Sequence, residues 1–523
     1  MKSSLNNYTK RDTSIIKGFA ILCIVLHNYF HWLAPSTGEN EFNFSPANVR
    51  NLYHLLGEQP GEFVNILFSY FGHYGVQLFI MISGFGLALS MMNRPKTWES
   101  FVLTRLKKLY PLLLTAMVFF FFGKLLMEGR GLGAWELKEI GYKLLFIHTL
   151  LPNSGLSVCG PWWFFGLIFQ LYLLFPLLFH CMKKWGWKVF WVVSAISYGL
   201  IFLFREYLKL HQGTIIMQNA PGHLPEFCFG MMLAFSKDKR IHWLWLLLAL
   251  LLFVWGNFAP GLYPFTFLSL CVITVFAYHG LKSLRFPKRW ISRPLAYFGG
   301  ISMVLFVVNG FLRTPVLKLA NTMPGAWGHL GSAVLFFLLA WGFALAAKPF
   351  YEFIVSLLDC IHIRENQVTR VIGWVCKAAL VVFFAFVLAF FIVQNLAVQR
   401  AQPKEPQGLA TQGIINRENA YVAVTSAELD ENHYAIRVNG SFDYKSTDAQ
   451  EQLPLLIVDI HDAFWNGLQL NKCENGEWTH YEFSCDYYRP FVKNIKGKKL
   501  SVYFWNRSQS EVLFRDVKVN FNY

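Results

Sequence analysis

Charged residues are scarce in this sequence. Asp, Glu, Lys and Arg make up 15% of its 523 residues, whereas a soluble domain carries about 25%. Hydrophobic residues account for 54% of the chain, and the mean hydropathy is +0.36. Because the apolar residues are gathered in blocks long enough to cross a bilayer, the composition excludes a soluble globular protein and indicates a membrane protein with many spans.

We also expect no cleavable signal peptide, since no small-residue cleavage site follows the first apolar run. The excess of Lys and Arg (47) over Asp and Glu (31) lies before residue 400, in the apolar part, where basic residues set membrane orientation. No basic cluster marks a soluble domain, so we expect no nucleic-acid partner.

Cysteine is sparse beyond residue 400, where Cys473 and Cys485 are the only two of the nine in the chain. No spacing of His and Cys typical of a zinc site accompanies them, and we expect no bound metal. On the outer side of a bacterial membrane two such thiols are free to oxidise. We therefore predict a disulfide between Cys473 and Cys485.

Eleven apolar segments can be recognised from their hydropathy. A shorter run near 140–151 fits an interfacial segment, a re-entrant segment or a twelfth span. We predict a polytopic α-helical membrane domain of about ten to eleven spans. The segments are residues 14–34, 65–92, 109–127, 161–182, 187–206, 222–236, 241–257, 262–281, 296–312, 329–347 and 371–396.

The connections between these segments differ in charge. If the N-terminus is cytoplasmic, the cytoplasmic connections hold most of the Lys and Arg residues, including the clusters at 105–108 and 282–293. This is the bias that the positive-inside rule requires. A twelfth span would disrupt it, so we predict eleven spans and an extracytoplasmic C-terminal domain.

Strand-like sequence begins beyond residue 412. The segment 397–412 contains AQPKEPQG at 401–408, a composition typical of a linker. Turn residues such as Asn439-Gly440 and Asn475-Gly476 separate alternating apolar runs. We predict that residues 413–523 form a small all-β sandwich, with strands at 421–425, 434–438, 453–460, 478–485, 500–505 and 512–521.

His27 is the most unusual residue of the first apolar segment, because a titratable imidazole inside a span is costly unless it faces protein, water or substrate. Asn28 and His31 follow it. Only His has an unperturbed pKa near neutrality, so His27 suits a base that deprotonates a hydroxyl or a nucleophile that carries an acyl group. A role in helix packing is the alternative that the residues alone leave open.

Five motifs between residues 10 and 350 occur in an order that resembles membrane acyltransferase family 3, the bacterial surface-glycan O-acyltransferases. In chain order they are Arg11-Asp12 with Lys17-Gly18-Phe19 and His27; GVQLFIMISGF at 75–85; RLKKLYP at 105–111; Trp162-Trp163-Phe164 with Gln170, Tyr172 and Pro176; and LPEF at 224–227 with Gly230.

The resemblance implies an acyltransferase domain at 10–350, with 371–396 as an additional C-terminal span. It implies an integral membrane O-acyltransferase, and we expect an O-acetyltransferase. The donor would be cytoplasmic acyl-CoA, a co-substrate rather than a permanently bound cofactor, and the acceptor a cell-surface or lipid-linked glycan. The protein would lie in the lipid of the bacterial inner membrane.

The resemblance makes His27 the catalytic candidate. Lys17, Arg105 and Lys108 lie at the predicted inner ends of the first and third spans, where cations would bind the phosphates of the donor. Charge alone would make Arg105 a determinant of topology, but Arg105 belongs to a family motif.

Three positions depart from the family pattern. Members commonly have an arginine eleven residues before the histidine, where this chain has Ile16 and places the cation at Lys17. Ten residues rotate Lys17 and His27 apart by about 80° on an ideal helix, which weakens any partnership between them. Asn309 stands where many members have a histidine, and Ala347 where many have Glu.

Four further residues are candidates for contacts with substrate: Ser83, Tyr110, Trp163 and Glu226. Ser83 equally suits close packing of helices, and Trp163 equally suits anchoring at the membrane interface. Glu226 is the strongest of the four, because a carboxylate in an apolar helix is costly without a role.

A transporter or flippase for a lipid-linked glycan is the main alternative, because it too would place polar groups among many spans. The sequence contains no inverted repeat and no pair of broken helices that would favour it. A glycan sensor would need far fewer spans as an anchor. The C-terminal region lacks the Gly-Asp-Ser motif of the hydrolase-like domain in some relatives, so we predict no second enzyme there.

Overall fold

The chain was analysed as a computed structural model. The described residues form a helical unit (residues 8–205 and 213–360) and a β-sheet unit (402–523). The structure describes residues 8–35, 38–128, 134–236, 242–284, 288–310, 313–323, 325–360, 402–416, 418–433, 435–446, 453–461, 463–470, 477–488, 495–506 and 511–523.

Helices account for nearly all of the regular structure before residue 361. They are α1 (Lys10–Phe30), α2 (Pro46–Glu58), α3 (Phe63–Phe71), α4 (Gly75–Asn93), α5 (Trp98–Glu128), α6 (Ala134–Leu144), α7 (Trp163–Trp185), α8 (Lys188–Gln212), α9 (Leu224–Phe235), α10 (Trp243–Gly256), α11 (Phe265–Ser283), α12 (Arg289–Val308), α13 (Arg313–Ala320) and α14 (Ala326–Cys360).

Eight helical stretches of the described residues are long and apolar enough to cross a membrane, which confirms the predicted polytopic helical fold. The second of them joins α3 and α4 through a short 3₁₀ turn, Gly72–Tyr74. The stretches are Lys10–Phe30, Pro60–Asn93, Trp98–Gly123, Gly160–Trp185, Lys188–Arg205, Phe265–Ser283, Arg289–Val308 and Ala326–Leu357.

Other predicted spans differ in length from the helices found. α9 and α10 have 12 and 14 residues, and at about 1.5 Å per residue they are shorter than a hydrocarbon core of about 30 Å. α6 has 11 residues, so the run near 140–151 does not form a twelfth span. The predicted span at 371–396 lies outside the described residues.

Asp12 fixes the start of α1. The Thr9 hydroxyl accepts a hydrogen bond from the Asp12 N–H (3.2 Å), and the Asp12 carboxylate accepts one from the Thr9 N–H (2.7 Å). This reciprocal cap satisfies N–H groups that a helix start leaves without partners. Tyr278 (2.6 Å) and Lys282 (2.9 Å), both on α11, donate to the same carboxylate, so Asp12 also joins α1 to α11.

α1 and α12 run side by side in the same direction. Near their starts, the Arg11 guanidinium donates to the Ser292 hydroxyl (3.1 Å); near their ends, the Asn28 amide donates to Asn309 Oδ1 (2.9 Å). Asn309, the residue that replaces the histidine of the family pattern, therefore lies beside the residue that follows His27.

The β-sheet unit consists of two antiparallel sheets. In one, β1, β9, β4 and β7 are neighbours and β2 also pairs with β9; in the other, the order is β3, β8, β5, β6. The strands are β1 (Pro403–Lys404), β2 (Gly413–Ile415), β3 (Tyr421–Glu428), β4 (Ala435–Ser446), β5 (Leu455–Ile460), β6 (Phe464–Gln469), β7 (Thr479–Tyr488), β8 (Lys499–Trp505) and β9 (Val512–Asn522).

The two sheets share one apolar core. Burial alternates along β8, as expected for a strand with one face toward a core. Phe442 on β4 meets Phe504 on β8 with ring centroids 5.1 Å apart. Since these strands belong to different sheets, the contact crosses the interior, and the predicted all-β C-terminal region is confirmed.

The turn predicted at Asn439-Gly440 is wrong, because both residues lie inside β4 opposite β9. A Cβ atom on Gly440 would lie 2.1 Å from the carbonyl oxygen of Lys518. Glycine is therefore needed for the close approach of two strands rather than for a turn. The second predicted turn, Asn475-Gly476, lies outside the described residues.

The strand pattern also differs at three other places, one of which is β2, a strand that was not predicted. β6 was not predicted, because its sequence FWNGLQ lacks clean alternation. Pro403 and Lys404, inside the predicted linker, pair with the end of β9 and so extend the edge of a sheet.

Candidate active site

His27 is buried near the end of α1, with 5% of its surface exposed. Its Nδ1 lies 3.1 Å from the carbonyl oxygen of Phe68 on α3. Because a carbonyl only accepts hydrogen bonds, Nδ1 carries the proton that is donated. In the neutral imidazole the lone pair is then on Nε2, which is the nitrogen that would take a proton or attack an acyl carbon.

Gly72 allows the junction between α3 and α4 to approach this imidazole. A Cβ atom on Gly72 would lie 2.6 Å from the Cβ of His27 and 2.8 Å from the carbonyl oxygen of Cys23. Contacts that short do not occur, so any larger residue would push the junction away from α1. The same junction places the ring of His73 with its centroid 5.6 Å from that of His27.

His31 joins the imidazole group from one turn further along the chain. Its ring centroid lies 5.5 Å from that of His27, and its Nδ1 lies 2.6 Å from Oε2 of Glu39. Glu39 belongs to the loop between α1 and α2. The structure thus assembles three imidazoles and one carboxylate from α1, its following loop and the α3–α4 junction.

The same group contains the ligand types of a metal site. One ligand atom from each of His27, His31 and Glu39 lies within 4.8 Å of the others. Two tetrahedral ligands of one zinc ion, at about 2.0–2.1 Å from it, stand about 3.3 Å apart. In this structure His31 and Glu39 instead contact each other directly at 2.6 Å, closer than two ligands of one zinc ion would stand.

Two acidic residues of the loop differ in their electrostatics. Burial by itself raises the pKa of Glu39, but the hydrogen bond with His31 and the positive field of the imidazoles outweigh it, so the pKa lies below its ordinary value. Burial and the neighbouring charge of Glu39 raise the pKa of Glu41 well above its ordinary value. Glu39 is therefore the carboxylate that stays ionised beside the imidazoles.

The predicted donor-binding cations lie at two other places. Lys17 is partly buried on α1, and the ten residues of unbroken helix to His27 amount to about 15 Å. The Arg105 guanidinium carbon, on α5, lies 5.1 Å from the ring centroid of Phe101. Lys108 follows one turn later within the electrostatic field of Arg105. The structure does not bring any of the three against the His27 imidazole.

Ser83 and Arg105 share a neighbour. The side chains of Ser83 and Tyr172 are hydrogen-bonded, and the Arg105 guanidinium carbon lies 6.0 Å from the Tyr172 ring centroid. Tyr110, by contrast, donates its hydroxyl proton to the carbonyl oxygen of Leu144 (3.0 Å) and so holds the end of α6.

Trp163 and Glu226 form a second polar group. The Trp163 ring stacks on His223 at 6.0 Å between centroids, and His223 Nδ1 lies 3.6 Å from Oε1 of Glu226. Glu226 is 1% exposed. On its other side, Trp163 meets Phe42 edge to face at 5.2 Å, so this group touches the loop that carries Glu39.

Cys485 lies buried in the core of the β-sheet unit, where the Asn466 amide donates to its sulfur at 3.2 Å. Burial raises the pKa of its thiol to about 12. Cys473, its predicted disulfide partner, lies outside the described residues, so the disulfide stays a prediction.

Glu39 was not among the site residues predicted from the sequence. The spacing of four between His27 and His31 places both on one helix face, and this signal was available. The contact with Glu39 depends on how the loop after α1 folds back, which no local pattern in the sequence specifies.

Comparison with known proteins gives one match for this architecture. The sequence profile of a family described as an acyltransferase domain matches residues 13–392. This range covers more than half of the chain and includes every helix from α2 to α14 as well as the site around His27. No curated protein and no solved structure shows a significant match.

Proposed function

Because the chain belongs to this acyltransferase family, we propose that it is an O-acetyltransferase of the bacterial inner membrane. It transfers the acetyl group of cytoplasmic acetyl-CoA to a hydroxyl of a cell-surface or lipid-linked glycan. The family membership supports membrane acyl transfer. The choice of donor, acyl group and acceptor depends on the arguments below.

The observation that carries the proposal is the hydrogen bond from His27 to Phe68 (3.1 Å). It fixes the proton on Nδ1 and leaves Nε2 basic. In the direct route Nε2 takes the proton of the acceptor hydroxyl while its oxygen bonds the acyl carbon and the C–S bond breaks; the coenzyme A thiolate then takes that proton. In the two-step route Nε2 first bonds the acyl carbon while the C–S bond breaks and the coenzyme A thiolate leaves; the acceptor oxygen then bonds that carbon while the C–N bond breaks, and the hydroxyl proton passes to the thiolate. Both routes place Nε2 at the reacting atoms.

Glu39 supports either route electrostatically. Whenever His27 gains a proton or an acyl group, it becomes positively charged. An ionised carboxylate held by His31 at 2.6 Å stabilises that charge across the short distance between the two imidazoles.

The position of the cations fits a donor that enters from the predicted cytoplasmic side. Lys17 lies about 15 Å before His27 along α1, a separation that the extended pantetheine arm of coenzyme A covers. Arg105 and Lys108 lie near the start of α5, which the charge pattern also assigns to the cytoplasmic side. Their charges would hold the phosphates while the thioester reaches His27.

A small apolar cavity one helical turn before His27 supports the choice of a short acyl group. An apolar cavity of about 10 Å³ is lined by Ile24, Val76, Phe79 and Met303, among others. Ile24 precedes His27 by one turn of α1. A volume of about 10–15 Å³ holds one water-sized group, so the cavity suits a group as small as the methyl of an acetyl group better than a longer chain.

Transfer of label from [14C]acetyl-CoA tests this function against the transporter alternative. The full-length protein in nanodiscs is incubated with the labelled donor and one of four methyl glycosides, of glucose, galactose, rhamnose or N-acetylglucosamine, and the sugars are separated by chromatography. We expect label on at least one glycoside. A transporter would leave all of the label in the donor, and that result would contradict the proposal.

A further inference from the structure

A second cavity lies on the other side of the end of α1. Its volume is about 220 Å³, and α1, the start of α3 and the start of α14 surround it. Ligand pockets for drug-sized molecules measure about 300–1,000 Å³, so this cavity is suited to a single ring rather than to a large ligand.

A buried acid–imidazole pair lines the cavity. His329 Nδ1 lies 2.8 Å from Oε1 of Glu62, and Glu62 is 8% exposed. The two residues come from helices that are far apart in sequence, and burying a carboxylate in this position is costly without hydrogen-bond partners. The pair places a strong hydrogen-bond acceptor and an imidazole at the wall of the cavity.

Asn65 lines the same wall and has one side-chain hydrogen-bonding atom without a partner, enclosed behind that wall. Its amide nitrogen donates to the carbonyl oxygen of Ala34 at 3.2 Å, but its Oδ1 has no hydrogen-bond partner among the described residues. The residue is 2% exposed. A buried acceptor without a partner costs about 1–3 kcal/mol, and Oδ1 meets a hydroxyl or amide hydrogen of a ligand when the Asn65 side chain turns toward the cavity.

Two aromatic residues complete the lining. Phe63 is 53% exposed and Trp327 is 86% exposed, although both line the cavity. Anchoring at a membrane interface would account for Trp327, but it would not account for the Glu62–His329 pair or for Asn65. An aromatic face beside several hydroxyl-binding groups matches the two surfaces of a sugar ring, which are apolar on the C–H face and polar at the rim.

The cavity lies one helical turn from the candidate active site on two helices. Phe30, which lines it, follows His27 by three residues on α1, about 4.5 Å along the axis. Asn65 precedes Phe68, the partner of His27, by three residues on α3. The cavity therefore adjoins the candidate active site, and the second ring of an acceptor bound in the cavity would extend toward His27.

We propose that this cavity is the acceptor subsite, where Glu62, Asn65 and His329 bind the hydroxyls of one pyranose unit and Trp327 stacks on its ring. The role of this sugar as the acceptor rests on the proposed function. The binding of a sugar in the cavity does not depend on it.

Binding and transfer are measured separately, so that the two proposals fail separately. Saturation-transfer NMR with the same four methyl glycosides detects binding to the full-length protein in phosphatidylcholine nanodiscs, and the acetyl-transfer assay with methyl disaccharides of the same four sugars, which can reach from the cavity toward His27, gives acceptor KM, donor KM and kcat. The variants are Glu62→Gln, Asn65→Leu and Trp327→Ala. Matched controls are Glu352→Gln, an exposed carboxylate on the same helix as His329, and Trp290→Ala, a 71% exposed tryptophan.

We expect a saturation-transfer signal from at least one glycoside, lost in Glu62→Gln, and an acceptor KM raised at least tenfold in all three variants. Donor KM and both controls should stay unchanged. Binding without transfer would keep the subsite and contradict the proposed function. Transfer with a wild-type acceptor KM in the variants would contradict the subsite, and so would the absence of a saturation-transfer signal from every glycoside. If the transfer rate changed with the headgroup composition of the nanodisc lipid and not with these substitutions, the cavity would be assigned to lipid.

Discussion

Nδ1 of His31 lies 2.6 Å from Oε2 of Glu39, and this contact attaches the loop after α1 to the helix end that carries His27. The carboxylate is thereby held within 4.8 Å of a ring nitrogen of His27, close enough for its charge to act on that imidazole. The arrangement gives His27 an electrostatic partner that lies outside the apolar helix.

Glu39→Gln is expected to lower kcat without changing the donor KM. Losing a hydrogen bond to a charged group costs about 1.5–3 kcal/mol, or roughly 10- to 150-fold in rate. The acetyl-transfer assay measures this, with Glu58→Gln, an exposed carboxylate on α2, as the control. An unchanged kcat would remove Glu39 from the account.

The pH dependence of stability tests the same carboxylate. Because the pKa of Glu39 is lowered in the folded protein, its contribution is present above the unfolded value of about 4.3 and is lost as pH falls through the folded value. We expect the difference in Tm between wild type and Glu39→Gln to be largest at pH 5 and above, and to close below pH 4. A constant difference would contradict the ion pair.

Val76→Ala is expected to widen the choice of donor. The substitution enlarges the small apolar cavity next to Ile24, and one methylene in such a pocket is worth about 1–3 kcal/mol. The ratio of kcat/KM for propionyl-CoA to that for acetyl-CoA should rise by about tenfold or more. Val192→Ala, at a position 58% exposed, is the control; equal ratios in both variants would place the acyl group elsewhere.

Arg105→Ala is expected to raise the KM for acetyl-CoA by about tenfold or more, since removing a charged hydrogen-bond partner costs about 1.5–3 kcal/mol. The acceptor KM should not change. Arg105→Lys should recover part of the effect, because Lys binds phosphate as a point charge without the fork geometry. Arg94→Ala, at an exposed position, is the control, and a change in the acceptor KM alone would contradict the assignment.

Lys143 provides a prediction on stability at high pH. It is fully buried on α6, where its ammonium donates to the Ser157 hydroxyl at 2.8 Å. Burial lowers its pKa to about 8, against about 10.4 in the unfolded chain. Between these two pH values the unfolded chain binds more protons at Lys143 than the folded protein does. The contribution of Lys143 to the free energy of unfolding therefore rises with pH.

Lys143→Met removes this titration while keeping a long side chain. We expect the Tm of wild type, relative to this variant, to rise as pH increases from 7.5 to 10. Differential scanning fluorimetry in detergent measures both proteins side by side, and a difference that does not change with pH would show that Lys143 is not desolvated.

The polytopic helical fold was predictable because bilayer-length apolar runs are visible in the sequence itself. His27 was predictable for the same reason, since an imidazole in such a run is conspicuous. Glu39, Glu62 and His329 were not, because each belongs to a pair formed between segments that only tertiary packing brings together. Gly440 misled the strand assignment, since a glycine needed for close strand packing has the same local sequence as a turn.

His27→Ala tests the central claim most directly. The rate of [14C]acetyl transfer to the best glycoside is measured with protein in nanodiscs, at matched levels of inserted protein, and His54→Ala, an exposed histidine on α2, serves as the control. The account predicts a loss of about 10²- to 10⁴-fold for His27→Ala and a wild-type rate for His54→Ala. Transfer by His27→Ala at the wild-type rate would contradict it.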